Sequence, residues 1–263
     1  MDKNIIKDIR DKTFIELPFI VDNIVVYPKT LKEIFEVSEN KYQLYLNILT
    51  ADINKLLNID VSKFSKNELE NLKKINTFDA LIMNYCQDKN FAKIMEEALS
   101  FFLCSKDEKL HFLSDGGQII FYINEIKDNK IINRKNFNKI ATVIKIQNGI
   151  ENVGEEKIFN PANAKVAQFI EQARREQAKV EAIKNKNAMK LVDLMSILAS
   201  TGHGITIFNV KNLNMINFKD QLGRLQLNEG YSIQKYLLGN SFAGESIDLK
   251  KNTYFQKLNK NYE

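Results

Sequence analysis

Asn136-Phe137-Asn138-Lys139-Ile140, then Gln147-Asn148-Gly149, then Asn160-Pro161-Ala162-Asn163-Ala164-Lys165-Val166-Ala167 and a charged run from Glu171 decide how this chain is organised. A short amphipathic helix is predicted from about Arg134, and Gly149 stops it. Glu151, Glu155 and Glu156 make an acidic loop. Asn160 followed by Pro161 is a start signal for a long helix, with Asn as N-cap and Pro at the first helical position. The stretch reads as a connector between folded units. It positions no catalytic side chain, which points away from an enzyme.

From Lys165 to Lys190 the expected connecting helix carries seven basic residues (Lys165, Arg174, Arg175, Lys179, Lys184, Lys186, Lys190) against three acidic ones (Glu171, Glu176, Glu181). Its apolar residues Val166, Ile170, Ala173, Val180 and Ile183 form a thin stripe, so most of this helix is expected in water. Lys184-Asn185-Lys186-Asn187 is the linker candidate. The division is a helix-rich N-terminal domain over 1–160, a connecting helix and linker over 161–189, and a small helical C-terminal domain over 190–263.

Upstream, Phe14 to Val21 and Ile24 to Val26 are apolar runs separated by the turn pair Asp22-Asn23, which predicts a β-hairpin. Thr30-Leu31-Lys32-Glu33 is a capping box opening a helix to about Leu57, with a break near Ser38. Ser65-Lys66-Asn67-Glu68 is a second such box, Thr77 a third helix start, and Phe91 to Cys104 a fourth helix. Lys109–Leu113 and Gln118–Asn124 read as a two-stranded ribbon turning at Gly116-Gly117. Downstream, Met189–Ser200 is a strongly apolar helix ending at Thr201-Gly202-His203-Gly204. Asn217 is expected to cap another helix, and Ile233, Tyr236 and Leu237 to begin a last one before a polar, fraying tail. With three prolines and ten glycines, the fold class is mainly α with small β-hairpins (α+β).

The search for chemistry returns no catalytic, cofactor-binding or metal-ligating residue. Cys86 and Cys104 sit among apolar residues, and two histidines, His111 and His203, complete the candidate set. They lack the paired CxxC or HxxxH spacing of a zinc site, and no orienting group or oxyanion site accompanies a Cys/His pair. Gly116-Gly117 opens a strand, not the helix that a phosphate cradle needs. Asp107-Glu108 and Glu155-Glu156 read as solvated surface charge. Net charge is +5, but its signs are mixed along the chain, which argues against a dedicated nucleic-acid binder. The opening Met1-Asp2-Lys3-Asn4 does not read as a signal peptide, and no apolar run is long enough for a membrane span. A cytoplasmic protein with reduced thiols is expected, with no membrane partner.

Three motifs in order resemble the tail assembly chaperones of phages infecting Gram-positive bacteria. The first is Ile24-Val25-Val26-Tyr27-Pro28-Lys29-Thr30-Leu31-Lys32-Glu33-Ile34. The second is the connector, with Asn136-Phe137-x-x-Ile140, Gln147-Asn148-Gly149 and Asn160-Pro161-Ala162-Asn163. The third is Asn212-Leu213-Asn214-Met215-Ile216-Asn217-Phe218-Lys219-Asp220-Gln221-Leu222-x-Arg224-Leu225, followed by Tyr231-Ser232-Ile233 and Leu238-Gly239.

The resemblance implies a non-catalytic protein of the host bacterial cytoplasm, absent from the mature virion; a homo-oligomer is compatible with it. It would bind the tape measure protein, a long and largely helical chain, and help recruit tail tube protein around it. It also implies the extended one of two frameshift-related forms, with 1–160 as the shared part and about 190–263 as the extension. N-terminal helices would hold the tape measure protein, and the C-terminal unit would recruit tube protein. The alternatives are a structural tail or baseplate component and a basic nucleic-acid-binding protein.

Overall fold

A computed structural model describes residues 2–51, 53–56, 76–115, 118–150, 189–201 and 204–238. The Ser65–Glu68 capping box, the Gly116-Gly117 turn, the connecting helix from Asn160 to Asn187, His203 and the tail beyond Leu238 lie outside the described residues. Within them the chain is mainly helical, with one two-stranded hairpin and one three-stranded antiparallel sheet.

The chain begins with helix α1, Lys3–Phe14, which was not among the expected elements although Ile5, Ile6 and Ile9 fall at helical spacing. Asp2 caps it, accepting from the Asn4 N–H at 3.2 Å. It ends in a Schellman turn: the Leu17 N–H reaches the Lys12 carbonyl at 2.8 Å, the Glu16 N–H reaches that of Thr13 at 3.0 Å, and Glu16 takes φ +64°. Phe14 to Leu17, expected to start a strand, therefore finish a helix. Strands β1, Phe19–Val21, and β2, Ile24–Val26, then pair around Asp22-Asn23. Both turn residues have positive φ, +47° and +68°, as a type I′ turn requires.

Thr30 opens α2, Leu31–Val37, through the expected box. The Glu33 N–H donates to Thr30 Oγ1 at 3.3 Å, and Glu33 Oε2 accepts from the Thr30 N–H at 2.9 Å. The break at Ser38 is real: its φ is +79°, and its hydroxyl accepts from the Lys41 N–H to start α3, Glu39–Thr50. A single turn, α4, covers Ile53–Leu56. Helix α5, Thr77–Gln87, is capped by Asn76, one residue before the expected cap, because Asn76 Oδ1 reaches the Phe78 N–H at 2.8 Å. Asp88 caps α6, Lys89–Leu103.

Strands β3, Leu110–Asp115, and β4, Gln118–Ile123, form the expected ribbon with Phe112 opposite Phe121. A 3-10 turn over Ile126–Asp128 and a left-handed Asn129 fold the chain back. They add a third strand, β5, Ile131–Ile132, which was not among the expected elements. Helix α7, Phe137–Gln147, follows.

The core is one continuous cluster. Helix α3 packs on α6 and α7, and α7 on α1, around Tyr42, Phe102, Phe137 and Ile9, each no more than 1% exposed. Helix α8, Leu191–Thr201, and helix α9, Met215–Leu238, belong to the same cluster through Leu191, Met195, Leu198, Met215 and Phe218. The described part of the C-terminal stretch thus shares the core of the N-terminal helices. Two helices expected from Asn217 and Ile233 are one: α9 runs unbroken through Tyr231-Ser232-Ile233. Its cap is Asn214, whose Oδ1 accepts from the Asn217 N–H at 2.9 Å.

Candidate interaction surface

Among the described residues the reactive side chains do not assemble into a catalytic constellation. Cys104 is buried at the end of α6, and burial pushes its thiol pKa up, against activation. Cys86 is exposed on α5, not packed as expected. His111 lies on the exposed side of β3, stacked on Tyr122 with ring centroids 5.3 Å apart. Among the described residues no group of three or more His, Cys, Asp or Glu could hold a metal. Glu108, expected as solvated charge, is instead tied down. It accepts from the Ser105 N–H at 2.9 Å and pairs with Lys130. Burial works to raise its carboxyl pKa, but these partners outweigh it and hold the value below the ordinary range, while the same pair raises Lys130.

An open cleft of about 550 Å³ lies between α3, α6 and the start of β3. Tyr45 and Phe101 supply its apolar wall, 5.8 Å apart between ring centroids. Glu96, Glu97 and Glu108 line it, and each already has a partner. Glu96 accepts from the Tyr85 hydroxyl at 2.5 Å. Glu97 accepts from the Tyr45 hydroxyl at 2.9 Å and from Lys41 at 3.3 Å. The Tyr45 hydroxyl holds Glu97 below the usual carboxylate range, and burial with Glu97 pushes Tyr45 up to about 12. These are carboxylates fixed for support, and Glu97 and Glu108 are held below the ordinary carboxylate range, away from the values that acid or base work near pH 7 calls for.

The most built part of the molecule is where α9 begins. Three chain ends meet there. Helix α7 closes in its own Schellman turn: the Ile150 N–H reaches the Lys145 carbonyl at 2.9 Å, the Gly149 N–H that of Ile146 at 3.0 Å, and Gly149 sits at φ +61°. The carbonyls left over at this end are taken by Lys219, whose ammonium donates to Asn148 O at 2.9 Å and Gly149 O at 3.1 Å. A cation belongs there, because a helix C-terminus carries partial negative charge. At the end of α1, the side-chain amide of Asn214 donates to Thr13 O at 2.7 Å, and that of Asn217 to Phe14 O at 3.0 Å. At the start of α2, the Leu31 N–H donates to Leu213 O at 2.9 Å. Thr30 and Asn214 make an antiparallel bridge beside it.

Gln147 and Asn148 tie the same region to the core. The Tyr42 hydroxyl donates to Asn148 Oδ1 at 2.5 Å, while Asn148 Nδ2 donates to Ile144 O at 2.7 Å. Gln147 Nε2 donates to Val26 O at 3.0 Å, at the end of β2. The residues picked out in sequence as three separate motifs, around Thr30, Gln147-Asn148-Gly149 and Asn214–Lys219, are therefore one contact network. The side-chain types gave part of this away, since buried Asn and Gln must find partners. Which partners they find depends on tertiary structure.

Beside this junction the surface is apolar. Phe14, Ile15, Leu17 and Ile20 are all exposed, Ile15 and Ile20 to 63% each. Phe208, in the turn leading to α9, is 81% exposed. Exposed large apolar side chains, where they are contiguous, mark surfaces that bind polypeptide. Among the described residues no helix is long and apolar enough to cross a membrane.

Residues 183–259 match the family model described as YomV second domain, a phage-associated family. No curated protein and no solved structure matches the chain. The matched span contains α8, the turn before α9 and all of α9, so the phage-associated segment is the one that seals the ends of α1 and α7.

Proposed function

We propose that this protein is a phage tail assembly chaperone, non-catalytic, that binds the tape measure protein and helps recruit tail tube subunits during tail morphogenesis. One observation carries the reading. The segment Asn212–Gly239, which resembles the C-terminal motif of tail assembly chaperones, lies inside the span that matches a phage-associated family.

The geometry is in keeping with the role. A tape measure protein is a long helical chain with apolar stripes, and helix-in-groove recognition calls for apolar surface and supporting polar anchors rather than reactive groups. The exposed set Phe14, Ile15, Leu17 and Ile20 offers such a surface. The cleft between α3 and α6 offers an aromatic wall with fixed carboxylates, suited to a helix that carries lysine or arginine beside its apolar stripe.

Co-expression with the tape measure protein encoded nearby tests the reading. The expected result is that the client becomes soluble and co-purifies, and that Ile15→Asp with Ile20→Asp, both surface changes, reduces the yield of complex severalfold. A client that stays insoluble and unbound, with this chain recovered from purified particles, would assign it to the virion as a tail or baseplate component. Deleting residues 190–263 cannot separate client binding from tube recruitment, because α8 and the start of α9 belong to the shared core.

A further inference from the structure

Strand β3 is an edge of the three-stranded sheet, whose order is β3-β4-β5. The ladder decides which of its backbone groups point outward. The Asn124 N–H donates to Lys109 O at 2.8 Å, and the register then runs from Leu110 to Asp115 along β4 without a bulge. Bonding positions alternate in an antiparallel pair. Lys109, His111 and Leu113 therefore face β4, while Leu110, Phe112 and Ser114 turn their N–H and carbonyl groups away from it. Among the described residues no hydrogen bond reaches those outward groups. Proteins blunt such edges by keeping the strand very short, by proline or by a bulge. Strand β5, at the opposite edge, has only two residues. Strand β3 has six and uses none of the three devices. Apolar side chains flank its edge on both faces: Phe112, 54% exposed with its ring 6.1 Å from that of Tyr85, and Leu113, 39% exposed, on the other. The open cleft beside Leu110 and His111 leaves the start of the edge uncovered.

We propose that β3 pairs antiparallel with β3 of a second copy of this chain, about a twofold axis at Phe112, so that one continuous sheet crosses both copies. The strand is complementary to itself in that register. Its outward positions are symmetric about Phe112: Leu110 falls opposite Ser114 of the second copy, and Phe112 opposite Phe112, so each outward N–H meets an outward carbonyl. Between them His111 falls opposite Leu113. Position 109, a lysine, falls opposite position 115, an aspartate, so opposite charges take facing positions at both ends of the pairing. An unrelated extended peptide could use the same backbone groups but would not bring this match of charge. The twofold uses up both edges, so the assembly closes at two chains. The inference stands apart from the tail-assembly reading, because the strand's own register and sequence define the partner.

Sedimentation equilibrium of the full chain at low salt is the test, and the expected result is a reversible dimer. Lys109→Asp sets aspartate against aspartate at both ends and should weaken the dimer about tenfold or more, as should Asp115→Lys with lysine against lysine. The double exchange, Lys109→Asp with Asp115→Lys, restores the match and should recover the constant to within about threefold. Ser114→Pro removes an outward N–H and no bond to β4, and should weaken the dimer about tenfold as well. In hydrogen exchange, the amides of Phe112 and Ser114 should slow as protein concentration rises, while those of His111 and Leu113 stay as they are. If the proline variant does not fold, the charge exchange decides. A chain that stays monomeric at every concentration overturns the proposal, and so does a dimer that none of these changes weakens. A double exchange no better than the single ones, or open-ended aggregates in place of a dimer, overturns it too. Protection of Phe112 and Ser114 only after a client polypeptide is added would give the edge to that client, with the same consequence.

Discussion

Gly149 shows how much can rest on one residue. It holds φ +61°, and a Cβ built on it would lie 3.0 Å from Cδ of Lys219, the side chain that seals α7. Gly149→Ala is expected to cost about 1–2 kcal/mol from the left-handed backbone alone. The lysine is flexible and can give way to the methyl, so the loss should come mainly from backbone strain. Urea unfolding with an unchanged slope and a lower midpoint would show it. Tyr42→Phe probes the other side of the same turn. It removes the donor to a buried Asn148 oxygen and should cost about 1–3 kcal/mol, although the ring volume is kept. At this scale the sequence was only half legible. Thr30 and Glu33 could be paired in advance because both partners lie within one turn. Asn217 was expected to cap α9, but Asn214 does so. Both are asparagines near a helix start, and the choice is made by Thr13 O and Phe14 O, some two hundred positions away.

Among the elements, the same contrast separates what could be read from what could not. The turn at Asp22-Asn23, the break at Ser38 and the stop at Gly149 are set by local backbone chemistry and stand as read. Helix α1 was missed although Ile5, Ile6 and Ile9 fall at helical spacing; its buried face is Ile9 and Thr13 with Ile6 packed beside them. Strand β5 has two residues and exists only because a left-handed Asn129 returns the chain to β4. Ionisable groups that join elements give a pH prediction. Glu33, Glu97 and Glu108 all have folded pKa values below their ordinary ones. For Glu33, burial alone would raise the value, but the Thr30 bonds and Lys29 outweigh it; for Glu97 the Tyr45 hydroxyl leads. Depressed carboxyls stabilise fully above the unfolded value, and that stability is lost as pH falls through the folded values. The melting temperature should therefore decline below about pH 4. On the alkaline side, burial raises Tyr42, and Tyr45 is pushed up to about 12. Raised groups stabilise fully below the unfolded value, so stability should decline again above about pH 10. A scan that stays flat across both windows would contradict these assignments.

For the whole molecule, composition and periodicity gave the mainly helical class, and they gave no view of how the C-terminal stretch attaches. Leu191, Met195, Leu198 and Phe218, read as apolar positions of a small C-terminal unit, are buried together with Met215 in one cluster with Ile9, Leu31 and Ile144. A chain ended at residue 189 should therefore lose far more than a domain. It would leave the α1 and α7 carbonyls without their donors and open an apolar face. Calorimetry should show no cooperative transition, and the product should aggregate. A truncated chain that melts sharply at the full-length temperature would show that the two parts are independent after all.

The meeting of residues 13–14 with 214–217 also governs the order of events during synthesis. Contacts this distant in sequence cannot form until nearly the whole chain has left the ribosome, and contact order of this kind slows folding. At translation rates of about 5–20 residues per second, the first helix waits on the order of ten seconds or more for the segment that caps it. For that interval the nascent chain displays two uncapped helix ends and an apolar face. A helical polypeptide made in the same place at the same time would meet the protein before it has closed on itself.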